Sequence, residues 1–465
     1  QSGNDYFLIS NAELKVNEGQ EFSILCRPAD GCKWSCQVKD SGDYLKVTRT
    51  TDNWKIDKTE DGLNIKAGNE GTSVILLFTL TTPDNQAYFY QVTVETVKNV
   101  IIEKEDNAAL AQALADLPGV TLDNDGNAII TQETIDNTPS LNLSGRQLTS
   151  LEGLDCFVNL TSLDCSQNSL TEIDGSQLPQ SLTQLNCSGN NLQEFDISTL
   201  TELTYLDCSG CFNTQSRSSF TNGTIDLSNH PNLEYLYCNE NNLQTLDLSQ
   251  TPKLKWLSCN NNNLKELDLS KNTELTRLEC NYNSLTVMDL SKNTELTIFE
   301  CISNNLTKLD LSSNTELKEL SASYNQIDQL VLPENSSLTG ITIYNNQISD
   351  IDLSNCPLLD YLYCYENKLT SLDITKNTLL TFINCQWNQL PTLNISQNTQ
   401  LERLYCGGQQ NINGSDQTLI LTVNETQKSL WENNWQYNNN NVTISDQVID
   451  IFGGNSNDFT NGGVY

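Results

Sequence analysis

The chain is expected to be mainly β: a solenoid of about twelve stacked 21-residue units, with short strands or turns on its convex side, preceded by a β-sandwich. Three observations predict this. A frame of spaced leucines returns every 21 residues from Leu233 to Leu401. No unit leaves a helix-length segment after its first strand. Residues 5–98 lack the frame and instead alternate short apolar runs with turn signals.

Composition narrows the functional classes. Among 465 residues, 25 Lys and Arg face 59 Asp and Glu, a net charge of −34. Phosphate backbones and anionic headgroups repel so acidic a chain, which argues against nucleic acid or a membrane surface as partner. The single histidine, His230, leaves little material for His-based catalysis or multi-His metal sites. No apolar run of about 18 residues appears, so no membrane-spanning helix is expected. The only methionine, Met288, lies in mid-chain, and the expectation is a processed or trimmed chain, from which an export signal could have been removed before Gln1.

Residues 5–98 carry the runs EFSILCRP, CKWSCQVK, LNIKAG, SVILLFTL and AYFYQVTVET, which predict a sandwich of immunoglobulin-like type. Trp34 reads as core there, while Trp54, in a loop-like stretch, has no assigned role. Cys26, Cys32 and Cys36 lie close in sequence, and one disulfide among them is expected, its pairing open. A spacer that lifts the repeats off a surface is the preferred role.

Residues 99–140 read as a helical cap and linker. Leu110, Ala113, Leu114 and Leu117 have helical spacing, stopped by Pro118-Gly119. The following DNDGNAIITQE is a weak calcium candidate through Asp123, Asp125, Asn127 and Glu133. With Gly126 as the sixth loop position, Thr121 and Gln132 fill the anchoring first and twelfth places, so a tight Asp-Gly hairpin is preferred.

The repeats occupy 141–421. LEYLYCNENNLQTLDLSQTPK begins at Leu233 and LKWLSCNNNNLKELDLSKNTE at Leu254, with the same frame at Leu275, Leu296, Leu317, Leu338, Leu359, Leu380 and Leu401. Leu160, Leu182 and Leu203 hold the phase upstream, after a degenerate unit at Leu141. The step from Leu203 to Leu233 is 30 residues, so a loop is inserted around Phe212–Asn222, with Ser216–Thr221 a secondary contact candidate. One unit cannot bury its leucines alone, but in-register stacking builds a continuous core. Residues 422–465 are the expected C-terminal cap and tail, with Leu430, Trp431 and Trp435 at helical spacing to close the open end.

Columns follow from the stacking. Asn recurs at the ninth position from Asn168 to Asn388, with Cys211 in one unit, and stacked amides can satisfy turn backbone groups. The Asp column from Asp174 to Asp373 precedes a Ser-containing turn and reads as backbone capping in preference to a calcium ladder. Ten cysteines share the sixth slot with Ala322 and Ile343, so that slot is a small apolar core site filled by thiols.

Slots 3, 5, 7 and 8 are expected to be solvent-facing strand positions. Of these 48 positions, 13 are aromatic, against 7% overall: Tyr205, Tyr235, Tyr237, Trp256, Tyr282, Tyr324, Tyr344, Tyr361, Tyr363, Tyr365, Phe382, Trp387 and Tyr405. Large, stiff, amphipathic rings dominate binding hot spots, so this face is the candidate ligand site. Arg277, Glu279, Glu300, Glu319, Glu366 and Arg403 supply its polar rim. Cross-strand pairing that only stabilises the sheet is the competing reading.

The frame L-x-x-L-x-C-x-x-N-x-L-x-x-L-D-L-S is the leucine-rich repeat pattern. Over about residues 105–445 the 21-residue form resembles surface leucine-rich proteins of Bacteroidetes and, more distantly, the internalins. The front module resembles small β modules of exported Bacteroidetes glycan-utilisation proteins. The resemblance implies the fold and an exported, surface or secreted setting, with any lipid anchor upstream of Gln1. It does not name a ligand. No nucleophile–base pair, phosphate loop or metal-spacing motif is present, so no enzyme and no cofactor are expected. The expected function is protein binding on the aromatic strand face, with a glycan-binding module as the alternative.

Overall fold

A computed structural model describes residues 12–17, 21–25, 33–40, 43–45, 55–58, 62–66, 73–81, 87–97, 100–212, 224–334, 337–435 and 439–445. The inserted loop at Ser216–Thr221, the tail from Asp446, Trp54, Cys26 and Cys32 fall outside these residues, as does the Trp34 side chain. The chain divides into two compact units, residues 1–138 with 156–159, and residues 139–155 with 160–465.

In the first unit, one sheet runs in the order Ala12–Asn17, Ala87–Val97, Ser73–Thr81, Lys33–Asp40 and Asp43–Leu45. A second joins Glu21–Leu25, Gly62–Lys66 and Lys55–Lys58. Within the same unit Val100–Ile102, Val120–Leu122 and Ala128–Ile130 form an antiparallel sheet. The helix Lys104–Leu114 packs on it through fully buried Leu110 and Leu114. Its Asn107 leaves helical conformation, and the Asn107 Oδ1 accepts from the Leu110 amide at 3.2 Å.

The second unit is a leucine-rich repeat solenoid. Thirteen three-residue strands, from Ser140–Asn142 to Arg403–Tyr405, form one parallel sheet. Neighbours pair in register, Leu236 with Leu257 and Leu257 with Leu278, so equivalent side chains stack. Within one unit Leu254, Leu257, Cys259, Leu264, Leu267 and Leu269 are all buried, and burying each such leucine contributes on the order of 2 kcal/mol. The convex side is mostly turns, with short paired strands at Glu172–Asp174 and Glu194–Asp196, and at Lys308–Asp310 and Gln329–Val331. Among the described residues no helix-length segment stands there, in keeping with the 21-residue period.

Polar columns brace this core. Each slot-9 Asn spans two units: Asn304 Nδ2 donates to the carbonyls of Cys280 (3.0 Å) and Cys301 (3.2 Å), and its Oδ1 accepts from the Leu285 amide (3.0 Å). Gln409 ends the series with the same three bonds, an occupant the slot-9 pattern did not include. On the convex side the Asp247, Asp268 and Asp289 carboxylates each accept from the Ser amide two residues on at 2.9 Å. Those backbone N–H groups hold their carboxyls below the usual Asp value. The cysteine column is fully buried, and burial pushes the Cys259 and Cys385 thiols up to about 12, so they stay protonated apolar spacers.

A second buried amide column escaped the reading of the sequence. Asn272, Asn293, Asn314, Asn377 and Asn398, from the recurring N-T of KNTEL-like stretches, are fully buried, 21 residues apart except across the gap. His230, Thr251 and Cys356 hold the same slot in other units. Closure at the C-terminal end comes from Glu425–Leu430, begun by a capping box between Asn424 and Gln427, and the π-helical turn Trp431–Trp435. Trp431 and Trp435 are buried, and Trp435 Nε1 donates to the Glu402 carbonyl at 3.0 Å. The Asn439 amide brackets the last strand, accepting from the Cys406 and Gly407 amides and donating to the Leu404 carbonyl.

Candidate functional site

The strands cover only slots 3 to 5 of each unit, so slots 7 and 8 are not strand positions as expected. Slot 8 is left-handed in all twelve full units: φ is +55° at Gln167, +54° at Tyr282, +53° at Tyr324, +52° at Glu366 and +51° at Trp387. Bulky residues rarely adopt this conformation. The slot-9 ladder holds it from one side, and amide bonds between neighbouring units hold it from the other, such as Trp387 N to the Gly407 carbonyl at 3.2 Å. The consequence is a turn that throws slot-8 side chains out along one rim of the sheet.

The rings gather into two clusters. The first comprises Tyr205, Tyr235, Tyr237 and Trp256, with Tyr237 centred 5.5 Å from Tyr205 and 5.3 Å from Trp256. The Arg277 guanidinium lies 4.4 Å from the Trp256 ring centre, and Arg277 Nε meets Glu279 Oε1 at 2.5 Å. Glu279 Oε2 also accepts from Ser258 Oγ at 2.9 Å.

The second cluster has two rows. On the strand slots, Tyr363 stacks on Phe382 at 4.5 Å, flanked by Tyr361 and Tyr405. Along the rim, Tyr344 and Tyr365 stack face to face at 4.3 Å and 7°, with Tyr324 and Trp387 edge-on at either end. Glu366 Oε2 accepts from Asn345 Nδ2 at 2.5 Å. Arg403 is exposed on the last strand, in register with Phe382. Tyr282 stands between the clusters and is 56% exposed.

Most of these rings are half-buried against one another, not free as the expectation had them. Burial raises the phenols of Tyr205 (to about 12), Tyr361 and Tyr365, so near neutral pH these hydroxyls are uncharged donors. Tyr361 shows the reason for one glycine that sequence reading passed over. Its hydroxyl crosses the intervening unit to donate to the Glu319 carboxylate, which also accepts from Thr339 Oγ1 at 3.0 Å. A Cβ on Gly340 would collide with the Tyr361 ring and with Glu319. Gly408, at φ +71°, similarly makes room for the Trp387 indole. Between the clusters slot 7 carries a further ladder, in which Asn239 Oδ1 accepts from the Asn260 amide and Asn260 Oδ1 from the Asn281 amide, both at 2.8 Å.

At the calcium candidate the chain makes a hairpin, with Val120–Leu122 against Ala128–Ile130 and Gly126 at φ +90°. Asp123 Oδ1 accepts from the Asp125 and Asn127 amides at 2.9 Å, and its Oδ2 accepts from Asn127 Nδ2 at 2.9 Å. These bonds lower the Asp123 pKa. Glu133 lies in the helix Gln132–Asp136. Among the described residues no group of three or more His, Cys, Asp or Glu is arranged to hold a metal ion, and no helix is long and apolar enough to cross a membrane.

No protein-family model and no curated protein matches the chain. Among solved structures it is similar to the functional domain of InlJ from Listeria monocytogenes, which includes a cysteine ladder: 26% identity, TM-score 0.48, covering 74% of this chain and 81% of that one. It is also similar to the internalin inlF of Listeria monocytogenes, at 23% identity and TM-score 0.49, covering 65% and 96%. YopM of Yersinia pestis, a leucine-rich effector protein, gives 28% identity and TM-score 0.44, covering 59% and 78%. Each TM-score lies below 0.5, and the leucine-rich repeat fold rests on the chain's own 21-residue period and its thirteen-stranded parallel sheet.

Proposed function

We propose that the chain is a non-catalytic binding protein, exported or displayed at a cell surface, that takes a protein partner across its aromatic strand face. The two N-terminal sheets we read as an immunoglobulin-like spacer. The observation that carries the proposal is how the rings use their faces. Tyr344 and Tyr365, and Tyr363 and Phe382, spend ring faces on one another. What they offer outward is edges and hydroxyls, which suit peptide groups and side chains better than the flat stacking a sugar ring requires. Extent agrees: the second cluster alone spans five units, about 19 Å at ~4.8 Å per strand, and the first extends the surface further. A standard interface needs about 800 Å² per partner.

One observation favours the glycan alternative. The Trp387 indole rests by Gly408 and is 49% exposed, a local platform of the kind a sugar face stacks on.

The deciding experiment is a parallel screen of extracellular proteins and of a glycan array with the wild type and two variants, Tyr237→Ala/Trp256→Ala and Tyr344→Ala/Trp387→Ala. A protein hit weakened at least about tenfold by both variants is the expected result, since hot-spot truncation costs at least about 2 kcal/mol. A glycan hit lost only in the variant lacking Trp387 establishes the alternative. A protein hit indifferent to both variants overturns the aromatic face as the site.

A further inference from the structure

Resting on the protein-binding reading above, we propose that the second ring cluster receives an arginine side chain of the partner, lying on the Trp387 indole with its guanidinium turned to Glu366. The first cluster contains such an arrangement already built. There a tryptophan, a guanidinium 4.4 Å from its centre and a carboxylate at 2.5 Å form one assembly, with all three members supplied by the chain. The second cluster repeats the tryptophan and the carboxylate. Trp387 and Glu366 occupy slot 8 of adjacent units, both left-handed, in neighbouring turns joined by the Glu366 amide donating to the Gln386 carbonyl at 3.0 Å. Trp387 is half exposed. Glu366 is exposed, with Oε2 anchored by Asn345 Nδ2.

The third member is missing. Among the described residues the ion pairs are Lys255 with Glu234 and Arg277 with Glu279, and neither reaches this cluster. The cation–ring contact among them is the one at Trp256. Tryptophan is the strongest ring partner for a cation. A planar guanidinium can lie on an indole while its edge donates to a carboxylate, which an ammonium does less well. A net charge of −34 raises the local concentration of basic partners around the whole chain.

The test labels the six tryptophans with 5-fluorotryptophan and follows their fluorine resonances in the full chain. The Trp387 and Trp256 signals are assigned with Trp387→Phe and Trp256→Phe. The probe is the blocked peptide Gly-Arg-Gly-Arg-Gly, compared with its citrulline counterpart, which keeps shape and loses charge. The expected result is a saturable shift of the Trp387 resonance with the arginine peptide, at least about tenfold weaker with the citrulline peptide and in Glu366→Gln, and unchanged in the convex-face control Glu266→Gln. The Trp256 resonance stays still in the wild type and begins to respond in Arg277→Ala, where that cluster too has lost its own cation. Equal shifts from both peptides, an unaffected Glu366→Gln variant or a silent Trp387 resonance would each overturn the proposal. A shift of Trp387 by cellotetraose but not by the arginine peptide would overturn it in favour of a sugar. Fold integrity is read from the remaining resonances. If partner capture depends on the rings while the peptide fails, this inference falls and the protein-binding reading stands.

Discussion

Two columns of buried asparagines run through the same solenoid, and they are not equivalent. On the strand side, the slot-9 amides use both ends: Asn304 donates to two carbonyls in different units and accepts an amide from the preceding one. In the second column Asn293 donates to the Leu269 and Asn272 carbonyls at 3.2 and 2.8 Å, but its Oδ1 is buried without a hydrogen-bond partner. Occupancy follows this difference. Slot 9 holds an amide in all full units except at Cys211, whereas the second slot also accepts His230, Thr251 and Cys356. What sets the value of a ladder residue is whether both ends of its amide are satisfied, not how deeply it is buried.

This comparison breaks most directly at Asn304→Ala. The variant orphans the Leu285 amide and removes one of the two bonds to each of the Cys280 and Cys301 carbonyls, which keep Asn283 and Asn325, and is expected to lose about 2–3 kcal/mol, read as a urea midpoint shift with faster exchange at the Leu285 amide. A loss under about 1 kcal/mol would put the two columns on one level. Asn293→Ala removes two donors but also an unsatisfied oxygen, so about 1–2 kcal/mol is expected in the same assay. His230 sharpens the contrast through pH. Burial is the main force lowering its pKa below 6.5, so the unfolded chain binds the proton first. Its stabilising contribution is complete above about pH 6.5 and is lost as pH falls below that value, at up to about 1.4 kcal/mol per pH unit. His230→Asn should flatten this part of the melting profile between about pH 7 and 5.5. The smallest effect is expected at Cys211, whose Sγ makes one bond, to the Cys187 carbonyl at 3.0 Å. Cys211→Asn supplies a second donor and should stabilise by about 0.5–1 kcal/mol in urea titration.

The repeat, the thiol column and the slot-9 ladder were legible because the chain prints each of them many times. A slot that accepts Cys, Ala and Ile identifies itself as small and apolar. The second asparagine column is printed almost as often, yet a polar residue between Lys and Thr reads as an exposed turn, and only stacking reveals its burial. The left-handed rim had a signal in Gly189, Gly210 and Gly408, which share slot 8 with Tyr282, Tyr324 and Trp387. The side chains at that slot drew attention away from its backbone. Ring placement on one face followed from periodicity, but ring-on-ring stacking did not. It depends on slot 5 of one unit meeting slot 3 of the next, and slot 7 meeting slots 7 and 8, distances that no 21-residue period encodes. In the N-terminal segment, Ala12–Asn17 alternates apolar and polar residues and was legible but passed over, whereas Lys55–Lys58, with Ile56 as its one apolar residue, carries no such signal.

Repeat arrays are usually treated as chains in which each unit senses only its two neighbours. The bond from Tyr361 to Glu319, passing over Gly340, joins units that are not neighbours. Unzipping that starts at the C-terminal end therefore breaks a contact of the Glu319 unit, two positions further in, as soon as the Tyr361 unit leaves. Across this stretch the energy function gains a second-neighbour term of about 1–3 kcal/mol, small beside the buried leucines of each unit. One residue with no side chain leaves the space that makes this longer reach possible.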